Sequence, residues 1–432
     1  MNSKLTSVAA MASPPTAVLA PPRGGRVPLA ARGLLKLLAG LEHGYLTLVL
    51  PDGSTRRLGA GRSGELRAQI HLHDWRVAAA VLKSGDIGLA ESWIDGRWST
   101  PDLPGLLRLL LANRTVLEHA IYGGWWGGLW HRLRHALNRN TLAGSRRNIH
   151  AHYDLGNAFY STWLDAGMNY SSALFEGDFS LSLAQAQRRK LDRALTAARV
   201  QAGDRLLEIG CGWGGLAELA QQRGAQVTGL TLSTEQLAWA QECLGRTVAR
   251  ATDATDATDT RATAPDCDLR LQDYRQVDDG PYDAIVSIEM FEAVGRAWWP
   301  TYFETLARCL RPGGRACVQT ITIADALFER YARSSDFIQQ YIFPGGMLPS
   351  PGQFCAAAER AGLVVEQAHT FGPDYAETLR RWRQAFHAKD TELRLLGFDP
   401  PFMRTWDFYL AYCEAAFDDG STDVVQYTLL KP

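Results

Sequence analysis

The sequence predicts an α/β fold, a doubly wound sheet preceded by a smaller α+β unit, and three features carry that prediction. At Asp204 to Gly215, DRLLEIGCGWGG, an apolar strand breaks into a glycine-rich turn and then a helix. Beyond it strand and helix signals alternate, as DLRLQDYR, YDAIVSIEMFEAVG, a helix through TLARCLRPGG, and RACVQTITI. Before residue 120 the elements are short and mixed, punctuated by Asp and Gly. Ligands of a doubly wound sheet sit at the carboxyl ends of its strands, and Glu208, Thr231, Asp273, Glu292 and Gln319 are all expected at or just past such ends.

With 432 residues, 46% hydrophobic and 21% charged, the chain has ample material for two domains. Lys plus Arg number 45 against 46 for Asp plus Glu, which argues against nucleic acid as a partner. Seven cysteines without CxxC spacing fit reduced thiols in the cytoplasm. The longest apolar run, LPGLLRLLLAN, is broken by Arg108 and is too short to span a bilayer, so membrane contact is expected to be peripheral.

Residues 1–30, rich in Ala, Pro and Ser, read as a disordered lead-in, and Pro14-Pro15 interrupts what would otherwise pass for a signal segment. Residues 31–120 form the small α+β unit: a helix in GLLKLLAGLEH, a hairpin in GYLTLVLPDGSTRRLG turning at Pro51-Asp52-Gly53, then short elements through AESWIDGRWST. His71 and His73 alternate on one strand face without a third ligand, so no metal site is expected. Residues 121–147 form a linker that gathers Trp125, Trp126 and Trp130 beside Arg132, Arg134, Arg139, Arg146 and Arg147. Such a segment either packs an interdomain seam or lies at an anionic headgroup layer, where each Arg adds about 1 kcal/mol of reversible attraction. His131 and His135 lack the Glu of HExxH.

The second domain, 148–432, opens with a helix leading into a site-lining loop over His150 to Asp178, followed by a helix from Ser182 to Val200. After the glycine turn, TLSTEQLAWAQECL reads as a helix and ATDATDATDT, with three Ala-Thr-Asp triplets at Ala251 to Asp259, as an exposed insertion loop. Ala324 to Pro432 reads as largely helical, with YIFPGGMLPS a turn and VVQYTLLK a terminal strand. Within the turn, Gly210, Gly212 and Gly215 satisfy GxGxxG, the spacing of a dinucleotide site. Two details argue otherwise. Glu208 lies inside the strand, where a carboxylate suits a cation, and the next strand, AQVTGLTLS, ends at Thr231 to Ser233 without the acid that a nicotinamide dinucleotide site needs for its ribose.

LLEIGCGWGG followed by LRPGG resembles the class I S-adenosylmethionine methyltransferases, whose sheet is Rossmann-like. More narrowly, HYDLGNAFY, YSSALF, LEIGCGWGG, GLTLSTEQ, LQDYR, MFEAVG, YIFPGGMLPS and FGPDYAETL, in that order, resemble the cyclopropane fatty acid synthase family. AESWIDGRW makes the N-terminal unit similar to the lipid-facing domain of the bacterial phospholipid members. The resemblance implies transfer of a methylene unit from S-adenosylmethionine to the cis double bond of an unsaturated phospholipid acyl chain, giving a cyclopropane through a carbocation. The expected arrangement is peripheral attachment at the inner face of the membrane, with a homodimer as one form it can take.

For the cofactor the resemblance implies contacts from Tyr170, Ser171, Glu208, Gly210, Gly212, Trp213, Thr231, Leu232, Ser233 and Gln236, with Asp273 near the adenine. In the family the base is taken to be a bicarbonate held by a Glu, a His, a Tyr and the backbone of a YSCA segment. Glu292 and Tyr375 match that set, whereas Ser172 stands in place of the Cys and Gln319 in place of the His. Gln319 keeps a donor but cannot carry a proton, which opens a second outcome: hydride shift and a methyl or methylene branch. A third reading, a catalytically silent lipid-binding protein, has no need of the retained cofactor residues, Glu292 or Tyr375.

Overall fold

Two sheets organise the residues described by the computed structural model, which are 27–60, 66–121, 155–254 and 267–432. The expectations for residues 1–26, for the Trp- and Arg-rich linker beyond Ile121, and for the repeats beyond Ala254 lie outside them. The first sheet follows helix α1 (Leu29–Leu38) and is built from β1 (Tyr45–Val49), β2 (Thr55–Leu58), β3 (Arg67–Leu72) and, after helix α2 (Arg76–Ile94), β4 (Trp98–Ser99). Its order is β2-β1-β3-β4, with β1 and β3 parallel. The β1–β2 hairpin closes as expected at Pro51-Asp52-Gly53, where Gly53 donates to the Leu50 carbonyl and Asp52 accepts from Ser54. Helices α3 (Leu103–Ala112) and α4 (Arg114–Ile121) follow. Asp102 caps α3 by accepting from the Gly105 N–H, one of the donors that a helix start leaves open.

The second sheet has the order β10-β11-β9-β8-β5-β6-β7. In chain order it comprises α5 (Asn157–Trp163), α6 (Leu183–Ala197), β5 (Arg205–Ile209), α7 (Gly215–Gln222), β6 (Gln226–Thr231), α8 (Thr234–Ala254), β7 (Cys267–Leu271), β8 (Tyr282–Ile288), α9 (Trp299–Cys309) and β9 (Leu310–Ile323). After these come α10 (Asp325–Tyr331), α11 (Pro351–Arg360), β10 (Val364–Thr370), α12 (Gly372–Ala388), α13 (Asp390–Leu395), α14 (Pro400–Asp419) and β11 (Thr422–Leu430). Strands β5 to β9 run parallel, and β11 enters antiparallel between β9 and β10. A parallel sheet is covered on both faces, which is why Leu206, Leu207 and Ile209 of β5 are all buried, and why Glu208 among them stands out. Leu206 packs under α6, α7 and α8, while its neighbour Leu207 packs on the other side among Phe303 and Leu306 of α9.

Several elements depart from the sequence expectation. Helix α1 begins at Leu29, inside the segment expected to be disordered. Helix α8 runs on through Ala254, because Ala-Thr-Asp carries no breaker and adds to a helix already nucleated. LRPGG is part of β9 rather than the end of a helix, so Gln319 lies well inside a 14-residue strand instead of at its end. The strand β10 was not foreseen, its alternation being masked by exposed polar residues. His71 bonds Gln69 and His73 bonds Ser99, and no group of metal-ligating side chains occurs among the described residues.

The N-terminal unit is seated on α14. Trp93 of α2 donates to the Arg404 carbonyl, Arg108 of α3 pairs with Asp418, and Asp86 accepts from Tyr412 and from the Phe337 N–H. The residues Trp98, Leu103, Leu106 and Leu109 share one core with Trp406, Leu410 and Phe417 of α14. No helix among the described residues is long and apolar enough to cross a membrane.

Candidate active site

A cavity of about 330 Å³ lies at the carboxyl ends of β5, β6 and β8. Its polar end is the β5–α7 turn. Gly210 (φ +89°) and Gly214 (φ +91°) hold left-handed backbone, and a Cβ on Gly210 would lie 2.9 Å from the Met290 Cβ. These constraints bring the start of α7 to the cavity edge, where its free N–H groups favour electron-rich ligand atoms. Tyr170, Ser171, Glu208, Gly210, Gly212, Trp213, Thr231, Leu232 and Gln236, to which the resemblance assigns the cofactor, all line the cavity. Trp213 is fixed by donating to Asn157 Oδ1 at 2.7 Å, and Thr231 by donating to Gln236 Oε1 at 2.9 Å.

Two of the anticipated cofactor residues have other partners. Ser233 accepts from the Gln236 N–H as a helix cap. The Asp273 carboxylate is buried against Arg275 at 2.6 Å, and its neighbours Gln272 and Tyr274 line the cavity instead. Glu208 is 3% exposed, and its Oε2 has no hydrogen-bond partner among the described residues. Burial pushes its carboxyl up to about 8, offset in part by the Lys190 ammonium. A buried, under-satisfied acid in an anion-poor turn fits a cationic ligand such as the methionine end of S-adenosylmethionine, which would restore its charge.

Next to this turn stand two carboxylates, and the sequence reading had singled out only one. Glu289, in SIEMFE, carries the central network. Its Oε1 accepts from the Ser172 N–H at 2.9 Å and from Gln319 Nε2 at 2.7 Å, and its Oε2 accepts from the Tyr375 hydroxyl at 2.6 Å. Ser172, Gln319 and Tyr375 are three of the four residues expected to hold bicarbonate, and here they hold a carboxylate of the chain itself. Glu292, the fourth, is turned elsewhere: its Oε1 accepts from the Ile321 N–H at 2.5 Å and the Thr320 hydroxyl at 3.0 Å. Glu289 also has φ +48°, left-handed backbone that a non-glycine residue rarely adopts without a functional reason.

Both carboxylates line the cavity, and burial raises both carboxyls, with mutual repulsion adding to Glu292. They titrate as a pair. Three hydrogen bonds plus the nearby Lys190 ammonium favour the charged form of Glu289, whereas Glu292, with two bonds and an unpartnered Oε2, is pushed up to about 8 by burial and by Glu289. Lys190 is itself 1% exposed and donates to Ser171 Oγ at 2.5 Å, and burial lowers its ammonium to about 8. The signal that could have found these two was an acid directly ahead of MFEAVG and a lysine on the apolar face of RRKLDRAL. The far end of the cavity is apolar and aromatic, with Ile338, Phe343, Leu379, Tyr409 and Phe417 among its walls.

Comparisons with known proteins find relatives over most of the chain. The family model for mycolic acid cyclopropane synthetase matches residues 141–427. A tuberculostearic acid methyltransferase of Mycobacterium tuberculosis is 38% identical over 96% of this chain and 95% of its own length. The cyclopropane-fatty-acyl-phospholipid synthase of Escherichia coli K12 is 34% identical over 84% of this chain and 87% of its own. Among solved structures, the mycolic acid cyclopropane synthase CmaA1 complexed with SAH and CTAB is 33% identical, with a TM-score of 0.58, covering 66% of this chain and 97% of that one. This chain is an S-adenosylmethionine-dependent methyltransferase that belongs to the mycolic acid cyclopropane synthetase family.

Proposed function

We propose that this chain methylates the cis double bond of an unsaturated phospholipid acyl chain and gives an open-chain, branched product, with Glu289 as the base in place of bicarbonate. The observation that carries the reading is the seat of Glu289 among Ser172, Gln319 and Tyr375. S-adenosylmethionine supplies, when bound, a methyl group made electrophilic by its sulfonium. Glu208 would hold the cationic end of that cofactor, beside the glycine turn. The apolar walls exclude water from the acyl chain, while the faces of Tyr170, Tyr375 and Phe417 stabilise positive charge that develops on it.

A carboxylate has about four acceptor positions, and three on Glu289 are occupied, which leaves one on Oε2 for a proton. As the new carbon–carbon bond forms from the alkene electrons, the methyl–sulfur bond breaks and the adjacent alkene carbon becomes cationic. Hydride migration from the methylated carbon then moves the charge beside the new methyl. Loss of a methyl proton to Glu289 Oε2 leaves its electron pair as a methylene double bond. The three hydrogen bonds offset part of the rise that burial causes in the Glu289 carboxyl, which tempers it as a base and leaves that migration time to precede proton loss. The full-length likeness to a relative named a methyltransferase supports the same choice. Direct proton loss would instead close a cyclopropane, a second reading favoured by the likeness to the Escherichia coli enzyme.

The deciding experiment incubates the purified chain with methyl-labelled S-adenosylmethionine and vesicles of monounsaturated phospholipid, then resolves the acyl chains by chromatography before and after mild hydrogenation. Label in a chain that hydrogenation converts to a methyl branch is expected. Label in a cyclopropane supports the second reading, and absence of label in lipid refutes both. We further propose cytoplasmic, peripheral membrane association through the N-terminal unit and the Trp- and Arg-rich linker, with the chain acting as a homodimer.

A further inference from the structure

The hydrogen bonds that hold Glu289 continue away from the cavity. Gln319 gives its Nε2 to Glu289 and presents its Oε1 to Nε2 of Gln426 at 2.9 Å. The two glutamines face each other across the β9–β11 pair, and both are fully buried. Gln426 Nε2 also donates to the Lys190 backbone carbonyl at 3.2 Å, while Gln426 Oε1 accepts from Arg193 Nη1 at 2.5 Å. Lys190 and Arg193 stand one helical turn apart on α6, so a single helix grips both ends of one amide.

An amide turned end for end keeps nearly the same shape, and a reversed Gln319 would aim its carbonyl oxygen at the Glu289 carboxylate. The far end of the chain of bonds forbids that reversal. A guanidinium only donates and a backbone carbonyl only accepts, so Gln426 has one satisfied orientation, and that orientation leaves Gln319 only one as well.

We propose that Gln426 is a positioning residue for the reaction: locked by Arg193 and the Lys190 carbonyl, it fixes the orientation of Gln319 so that Glu289 always meets a donor. This rests on the reading of Glu289 as the base. Around Glu289, burial and Glu292 oppose ionisation, whereas Lys190, the Tyr375 hydroxyl, the Ser172 N–H and Gln319 favour it. Among the described residues, Glu176, Cys317 and His369 interact electrostatically with Arg193, and Arg199, Arg315 and Glu366 line the surface cavity beside it. Gln319 is the donor whose direction is decided from outside the site.

The test uses the full chain, S-adenosylmethionine and monounsaturated phospholipid vesicles, with kcat followed against pH and cofactor Kd measured by calorimetry. Gln426→Leu is expected to move the acidic limb of kcat upward by about one pH unit, since a carboxylate losing a donor ionises less readily, with cofactor Kd unchanged. Arg193→Met moves it the same way by less, because the Lys190 carbonyl remains, and Arg193→Lys restores it, an ammonium also being donor-only. A folded Gln426→Leu variant with an unmoved limb overturns the proposal. Should that variant fail to fold, the two Arg193 variants give the same readout from the part-buried end, and a limb that Arg193→Met leaves in place overturns it equally. Glu289→Gln separates the two ideas: retained turnover refutes the base, whereas lost turnover with an unmoved limb in the other variants refutes only the orienting chain.

Discussion

Glu289 combines a left-handed backbone, a part-buried position and a second carboxylate as neighbour, each of which costs stability on the order of 1 kcal/mol. Such a residue persists where its surroundings over-determine it, and here three donors and Lys190 do so. Glu289→Gln preserves the shape and removes the base, so kcat should fall by about 10²–10⁴ with little change in cofactor Kd, as steady-state kinetics and calorimetry would register. Burial raises the Glu289 carboxyl, so the ionised form that accepts the proton is lost at a higher pH than for an ordinary carboxylate. The acidic limb of kcat should therefore lie above the usual carboxylate range. Glu292, anchored on Ile321 and Thr320, ties its turn to β9.

At the scale of elements, three pieces make the site. The β5–α7 turn presents the cofactor end, and its geometry depends on residues without a side chain. Gly210→Ala would force a Cβ into left-handed backbone and to 2.9 Å from Met290 Cβ, and should weaken cofactor binding by about tenfold or more. Isothermal titration on the folded variant checks this. Helix α6 turns Lys190 toward the carboxylates and Arg193 toward Gln426, so one amphipathic element sets both charge and orientation. Strand β9 places Gln319 and Thr320 in succession on opposite faces, which is how adjacent residues serve different carboxylates, Glu289 and Glu292.

Across the whole molecule, α14 joins the two sheets: one side receives α2 and α3, and the other carries Tyr409, Tyr412 and Phe417 into the cavity wall. At that junction Asp86 lies near Asp336, whose carboxyl is pushed up to about 7 by burial and by Asp86, and burial raises Asp86 as well. A raised carboxyl binds its proton more tightly in the folded state. Its stabilising contribution is thus present below the unfolded value near 3.8 and is lost as pH rises through about 7. Asp86→Asn keeps an oxygen for Phe337 N–H and Tyr412 and removes the repulsion. Thermal unfolding should show a Tm increase of a few degrees at pH 8 and no increase at pH 4.

The sequence by itself determined the doubly wound sheet, the glycine turn and the family, and pointed to the residues from Tyr170 to Gln236 that line the cavity. These are legible because strand periodicity, glycine conformation and helix starts are local, encoded in neighbouring residues. Gln319 was expected at a strand end and lies inside β9, and the second carboxylate beside Glu292 was not singled out, because register and side-chain direction depend on which strands pair. Only the tertiary structure decided that Glu289 takes the donors of Ser172, Gln319 and Tyr375, residues up to 203 positions apart between Ser172 and Tyr375. It also decided that Gln426, from the last strand, orients Gln319, because the pairing of β11 with β9 brings together residues that no local pattern relates.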